Sequence, residues 1–568
     1  MAKVTKKYVF YPASLGLDQS TIPGAQDPRG MWDCDNVIFT TNGSRKKFWG
    51  IEKYSLSGIA PHVMTNMRGI FDYWRNETGV MTQKVICAAG GRLFSDDDNG
   101  IFYDVAGANV LLSTDSVVFD AFYGIIVACF GTTSPLIWDQ SGVFEKLDDV
   151  AFAVHAQHIP SYDLVTNPNP IFSICRVHGQ RLWLAGNPLY PHRIYYSSVG
   201  DPLDWRIVAP GTAGSIDLDI EDSDPEGITG IFPTFHGDLY VAKRRSIYRI
   251  REEYSADLGT TTFVVDRVFS GVGCVWHNTI AATPNDIIWA SDRGVHSLAA
   301  TDKYGDVEHS FLSFPIHETY RRDTSFSRRR NMSAVFDPGM NSYLLALTTI
   351  GNRTNNKMIC YNIALGQWYQ KKNFDCACLA NYTDSNAQTK TLVGREDGLQ
   401  IGLFNEDRTS DFDTAMSMYI TTPLIYPSGN QSETMDYKKL WLFFRPQDTG
   451  TITVVYNIDN KGQRSKSVLM NYSDTTAQRS TFVEGSRIGF FRIGSGIIGS
   501  ETDEDSVRGG LVGPIVKKVA VPLVGSGEGI QFLFYNSANS VNPEEDCEIY
   551  GFMIEAESAE DADSPTIG

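Results

Sequence analysis

Five arginines fall within ten residues at Tyr320-Arg-Arg-Asp-Thr-Ser-Phe-Ser-Arg-Arg-Arg330, and Lys243-Arg-Arg245 puts three cations into one short turn. As free surface groups, Arg321, Arg322, Arg328, Arg329 and Arg330 would repel one another, and single exposed ion pairs contribute only about 0–1 kcal/mol. Arginine's planar fork holds a carboxylate or a phosphate in two-pronged fashion. In a chain of net charge −18, such concentration suits an anionic partner: DNA phosphate, or an acidic face on another subunit. The alternative reading is a solvated loop.

Other chemistry is sparse. No phosphate-binding Gly-x-x-x-x-Gly-Lys loop, Gly-x-Ser-x-Gly elbow or His-Glu-x-x-His helix occurs. His317-Glu318 lacks the second histidine that zinc requires. The ten histidines are dispersed, with His178, His236 and His296 at turns or strand ends. Asp96-Asp-Asp-Asn-Gly100 resembles a hard-cation loop but lacks a distal bidentate acid, so it reads as a polar turn. Asp292 and Asp397 fill equivalent turns and read as turn residues. The expectation is no catalytic set, no cofactor and no metal.

The elements that carry these residues repeat. Gly237-Asp-Leu-Tyr-Val-Ala-Lys-Arg-Arg-Ser-Ile-Tyr-Arg-Ile250 alternates apolar and polar residues on both sides of a polar turn, as a β-hairpin does. The unit recurs around Ala88, Ala128, Ala185, Ala290, Ala346 and Gly394, with Ala242 in the copy quoted, at spacings of 40, 57, 57, 48, 56 and 48 residues. Repeats of that length, each holding several short strands, predict a seven-bladed β-propeller over 59–410. The seven small residues are expected on the inner strands, near a crowded axis. Residues 1–58 read as an extended N-terminal arm with a strand at Trp32-Asp-Cys-Asp-Asn-Val-Ile-Phe-Thr40 and an Asn42-Gly43 hairpin. Six strand-like runs over 411–556 predict a β-sandwich-like C-terminal domain. Residues 471–508 read as a long loop or an arm ordered by a neighbour, and 557–568 as an acidic tail. The one modest helical stretch lies near 315–322.

Composition is that of an all-β protein, with 50 glycines, 24 prolines and 12% aromatics. No apolar run reaches the roughly 18–20 residues of a membrane span, and no secretory signal is evident. Nine scattered cysteines, mostly inside apolar runs, predict buried thiols made in a reducing cytosol. The acidic bulk argues against a general nucleic-acid binder, though not against a surface that DNA slides past.

Four segments carry a family resemblance in order. They are Asn36-Val37 with Asn42-Gly-Ser-Arg-Lys-Lys-Phe-Trp-Gly50; Arg193-Ile-Tyr-Tyr-Ser-Ser-Val-Gly-Asp-Pro-Leu-Asp-Trp205; Gly271-Val-Gly-Cys274 leading to Gly294-Val-His-Ser-Leu298; and Phe336-Asp-Pro-Gly-Met340 closing on Gly366-Gln-Trp368. Over residues 30–405 the chain resembles the tail hub or nozzle proteins of short-tailed bacteriophages, including the tail tubular B and packaged-DNA stabilisation groups. Lys47-Phe48 departs from the Arg-Pro often found there. The resemblance implies a virion structural protein of the tail, made in the host bacterial cytoplasm. It further implies a homo-hexameric ring with adaptor or portal proteins above, tail fibre or tip proteins alongside, and genomic DNA passing through the lumen. The rival expectation is a propeller that recognises a glycan or protein on a host surface.

Overall fold

A computed structural model describes residues 6–54, 66–147, 171–205, 212–218, 226–470 and 516–558 apart from gaps of one to six residues, together with 477–478, 483–484 and 511–512. The chain divides into two compact units, residues 50–406 and residues 1–49 with 407–568.

The first unit is a seven-bladed β-propeller of antiparallel sheets, six of them four-stranded and the seventh forming part of a six-stranded sheet. The first strands of the blades are Met67–Glu77, Val118–Phe122, Ile174–His178, Ile228–Ile231, Ala281–Ala282, Ser333–Asp337 and Cys378–Thr383, and they pack against one another around the axis. The second strands are Val80–Ala89, Ile125–Cys129, Arg181–Ala185, Leu239–Lys243, Ile287–Ala290, Ser342–Leu347 and Thr389–Gly394. All seven small residues of the repeat are buried at the ends of these second strands, one place outward from the expected inner position. The reason is coverage. A second strand has a strand at each edge and a blade on each face, so it is the continuous apolar run. In blade 1, Ile86 and Ala88 pack on blade 2, whereas Val85, Cys87 and Ala89 pack on blade 7. The innermost strands face the axis and keep polar groups such as Asp120, Arg176 and Asn381. At Gly394 an added Cβ would lie 2.3 Å from Met67 Sδ, so the alanine of the other six copies would fit here only if Met67, Cys378 and Ile70 shifted.

The ring closes with a strand from the other end of the chain. Gly50–Lys53 pairs with Ile401–Asn405 as the outer strand of blade 7, with Ile51 opposite Phe404. This stretch therefore belongs to the propeller and not to the arm. Backbone hydrogen bonds here join the two ends of the ring, which would otherwise be two exposed edges.

The second unit is a β-sandwich that absorbs the remainder of the expected arm. Lys6–Pro12 pairs along Glu548–Ser558, and Val37–Phe39 with Arg45–Lys47 extends the same sheet. The opposite sheet runs Asp33–Asp35, Met418–Thr421, Ile530–Asn536, Thr451–Ile458 and Gln463–Leu469. Phe552 packs between the sheets on Phe532 and Phe534, ring centroids 5.7 and 5.4 Å away. The expected strand of residues 32–40 is broken at Asn36, whose φ of 53° sends the chain from one sheet to the other. Its side-chain amide donates to Ser417 O at 2.7 Å, and asparagine tolerates this left-handed conformation better than most residues. The last strand runs to Ser558 and buries Glu555, so the acidic tail begins later than its composition suggests. Most of 471–508 lies outside the described residues, and so do 559–568. All nine cysteines are buried free thiols. No described helix is long and apolar enough to cross a membrane.

Candidate functional site

In blades 4 and 5 the turns between second and third strands lie side by side. Blade 4 contributes Arg244 and Arg245, between Leu239–Lys243 and Ser246–Ser255; blade 5 contributes residues 291–294, between Ile287–Ala290 and Val295–Thr301. Ser291 Oγ organises the second turn. It accepts from the backbone N–H of Arg293 and Gly294 at 3.0 and 3.2 Å, and Ser291 N donates to Gly294 O at 2.7 Å to close the turn. Residues 271–273 lie directly on the blade 4 turn. Gly271 N donates to Arg245 O at 2.7 Å, and a Cβ on Gly273 would sit 2.1 Å from Lys243 O, so only glycine allows that approach. A short helix, α1 (His317–Asp323), forms the third wall. Tyr320 OH donates to Ser291 O at 2.9 Å, and His317 Nδ1 donates to Arg293 O at 3.0 Å.

These three pieces enclose a cavity of about 840 Å³, within the size range of small-molecule sites. Arg244, Arg245, Arg293 and Arg321 line it with His296, His309 and His317, and Asp292 is the single carboxylate among the lining residues. Arg244 Nε binds Asp292 Oδ2 at 2.6 Å. Its other face meets Glu226, which also holds Arg329 at 2.7 Å. Burial opposes the charge on Arg244, but these two carboxylates outweigh it and hold the guanidinium above its ordinary value. Among the described residues, Arg293 and Arg321 make no ion pair.

His296 lies 3% exposed between Trp289, stacked at 5.6 Å, and Phe311 at 5.2 Å. Burial, with His309 and Arg293 nearby, pushes its imidazole down to about 4, so the ring is neutral at neutral pH. Nε2 lies 2.8 Å from Ser291 Oγ. Two backbone N–H groups already fill the acceptor lone pairs of Ser291 Oγ, so its proton is assigned to Nε2 and the ring proton of His296 to Nδ1. That Nδ1 is buried without a partner among the described residues, and so is Asp292 Oδ1.

The eight cationic residues singled out from the sequence separate in the structure. Arg244, Arg245 and Arg321 reach the cavity. Lys243 does not: it is fully buried, with Nζ 5.3 Å from the Tyr248 ring centroid, because it ends a strand covered on both faces. It is withdrawn as a contact residue. Arg322 pairs with Asp323 at 2.9 Å and faces a separate depression with Lys357 and Lys372. Arg328, Arg329 and Arg330 lie on the 3-10 turn Phe326–Asn331, where Arg330 stacks 5.2 Å above Trp276. Sequence reasoning missed Arg293 and His309, and it read His296 as a turn or strand-end residue and His317 as half of an incomplete zinc pair. The signal was present, since 291–293 occupies the same repeat position as 243–245 and adjacent blades must bring such turns together. Asp96 Oδ1 accepts from Val85 N at 2.8 Å and Oδ2 from Tyr54 OH at 2.6 Å. Residues 97–99 of that turn, and Asp397, lie outside the described residues. Among the described residues, no three His, Cys, Asp or Glu side chains gather as metal ligands would.

Neither a family model nor a curated protein matches the chain. Solved structures similar to it include BBS1N in complex with ARL6DN, at 13% identity and TM-score 0.35, covering 64% of this chain and 99% of that one. BamB from Moraxella catarrhalis aligns at 10% identity and TM-score 0.30, covering 61% of this chain and 93% of that one. YCF48 bound to D1 peptide aligns at 13% identity and TM-score 0.32, covering 52% and 79%.

Proposed function

We propose that the chain is a non-catalytic β-propeller binding module that takes an acidic partner, a host-surface glycan or protein, at the cationic cavity of blades 4 and 5. One observation carries this reading: four guanidinium groups converge on one cavity in a chain whose net charge is −18. The absence of catalysis is supported by the lining. A glycosidase needs two carboxylates facing one another, whereas the one lining carboxylate, Asp292, is tied to Arg244. At low ionic strength the intact protein is expected to be retained on dextran sulfate and not on neutral dextran. Retention should weaken with salt, as exposed charges are screened, and be lost in the Arg245→Ser, Arg293→Ser, Arg321→Ser variant. Equal elution from both resins would overturn the reading.

The ordered resemblance to tail hubs supports a second reading, of where such a module works: the tail of a short-tailed phage virion, as a homo-hexameric ring between adaptor or portal and fibre or tip proteins. The propeller's own axis is not a conduit. Phe71 stacks on Phe119 at 6.0 Å, and with Arg176 and His277 they leave a cavity of only about 290 Å³. Passage of genomic DNA would therefore need several copies around a shared axis. Arg328, Arg329 and Arg330 would then meet a neighbouring subunit. Replacing all three by serine should leave the melting temperature nearly unchanged and reduce incorporation into particles. Normal incorporation together with normal genome retention would sink this reading.

A further inference from the structure

Four arginines explain attraction to an anion but not the buried acceptor beside them. Asp292 Oδ1 is buried in the wall of the same cavity with no donor among the described residues, and His296 Nδ1–H in that wall has no acceptor among them. An unpaired buried acceptor costs about 1–3 kcal/mol. A phosphate monoester dianion, a sulfate or a carboxylate has no proton to offer Asp292. A hydroxyl group does, and its oxygen accepts from His296 Nδ1–H as well. A molecule that satisfies the whole lining therefore joins an anionic group, for Arg293 and Arg321, to hydroxyl groups, for Asp292 and His296. The cavity of about 840 Å³ holds more than a bare anion. Its aromatic edge, Phe311, is 38% exposed and lines the same space, as suits the apolar face of a sugar ring.

We infer that the cavity of blades 4 and 5 is a binding site for an acidic saccharide, a sugar unit carrying a carboxylate or a phosphate. This rests on the binding-module reading above and names its ligand class. Asp292 Oδ1 supplies the acceptor for a sugar hydroxyl, and the neutral ring of His296 offers Nδ1–H to its oxygen. Arg244 takes no direct part. Held between Asp292 and Glu226, it fixes Asp292 with one oxygen occupied and the other free for a hydroxyl.

Calorimetry on the full chain tests this with four probes at equal ionic strength: glucose 6-phosphate, glucuronate, cyclohexyl phosphate and glucose. Cyclohexyl phosphate has the charge and the ring but lacks the hydroxyls, so the comparison does not depend on a variant that folds. At least one acidic sugar is expected to bind tenfold or more tighter than both cyclohexyl phosphate and glucose. Its affinity should fall at least tenfold in Arg293→Ser, Arg321→Ser, whose replaced groups are exposed. Preference for glucose 6-phosphate assigns the anion as a phosphate, and preference for glucuronate as a carboxylate. Equal binding of cyclohexyl phosphate and glucose 6-phosphate overturns the inference, leaving a site for bare anions. No binding by any probe also overturns it. In that case retention on dextran sulfate shows whether the broader reading survives.

Discussion

At the scale of single residues, titration should report the packing of His296. The imidazole titrates near 6.5 unfolded and at about 4 in the fold. Between those values the unfolded chain holds the extra proton, so stability rises with pH across the window and is lost as pH falls from about 6.5 to 4. A tenfold change in proton affinity corresponds to about 1.4 kcal/mol. His277, pushed well below its ordinary value by burial and by Arg176, acts with the same sign. Asp286 and Asp337, raised by burial, slope the opposite way. The comparison is therefore between parent and His296→Gln. The variant should show a shallower loss of melting temperature between pH 6.5 and 4, and identical slopes would refute the burial argument.

At the scale of elements, the closing strand Gly50–Lys53 decides whether the ring holds. Ile51 is fully buried opposite Phe404, and Glu52 beside it is exposed. Ile51→Ala removes buried methyl groups from a site that collapses poorly, a loss of about 2–5 kcal/mol. Glu52→Ala should cost well under 1 kcal/mol, as surface changes usually do. Urea midpoints of the two variants check this, and equal midpoints would mean that closure contributes little. The hairpin residues Arg45–Lys47 play the corresponding part in the sandwich. Arg45 is 2% exposed, and its guanidinium donates to Leu15 O at 3.0 Å; Lys47 Nζ donates to Glu545 O at 2.8 Å. Burial lowers both cations' pKa, that of Arg45 to about 10. Arg45 and Lys47 are thus internal pins of this hairpin.

At the scale of the whole molecule, the two ends of the chain are folded into one unit. Lys6–Pro12 covers one edge of Glu548–Ser558, and Asp33–Asp35 covers the edge of Met418–Thr421. Deleting residues 1–49 should therefore release the sandwich while sparing the propeller, whose closing strand begins at Gly50. In hydrogen exchange, amides of 435–444 and 548–558 are expected to lose protection, and those of 239–243 to keep it. Retained protection at 548–558 would show that the sandwich stands without its N-terminal strands. The six sequence-read runs, 416–422, 439–444, 451–456, 515–521, 530–535 and 547–554, fall on the strands Met418–Thr421, Met435–Phe444, Thr451–Ile458, Val516–Pro522, Ile530–Asn536 and Glu548–Ser558 of this unit.

What the sequence determined by itself was whatever is periodic. Alternation marks a strand because side chains point to opposite faces in turn. Repetition of the hairpin marks a propeller because one small sheet cannot bury both faces alone. That much yields the blade count, the buried alanines and the sandwich. Only the tertiary structure decided which strand of a blade is innermost, since neighbours on both faces make the second strand more apolar than the first. It alone moved residues 50–53 across a boundary, because pairing between strands 350 residues apart leaves no local signature. It also separated Lys243 from Arg244, adjacent in sequence but opposite in fate: one side chain points into the packed interior and the next into a cavity. The cavity is made where a turn of one blade, a turn of the next and a connecting helix meet, and its chemistry belongs to that meeting rather than to any one segment.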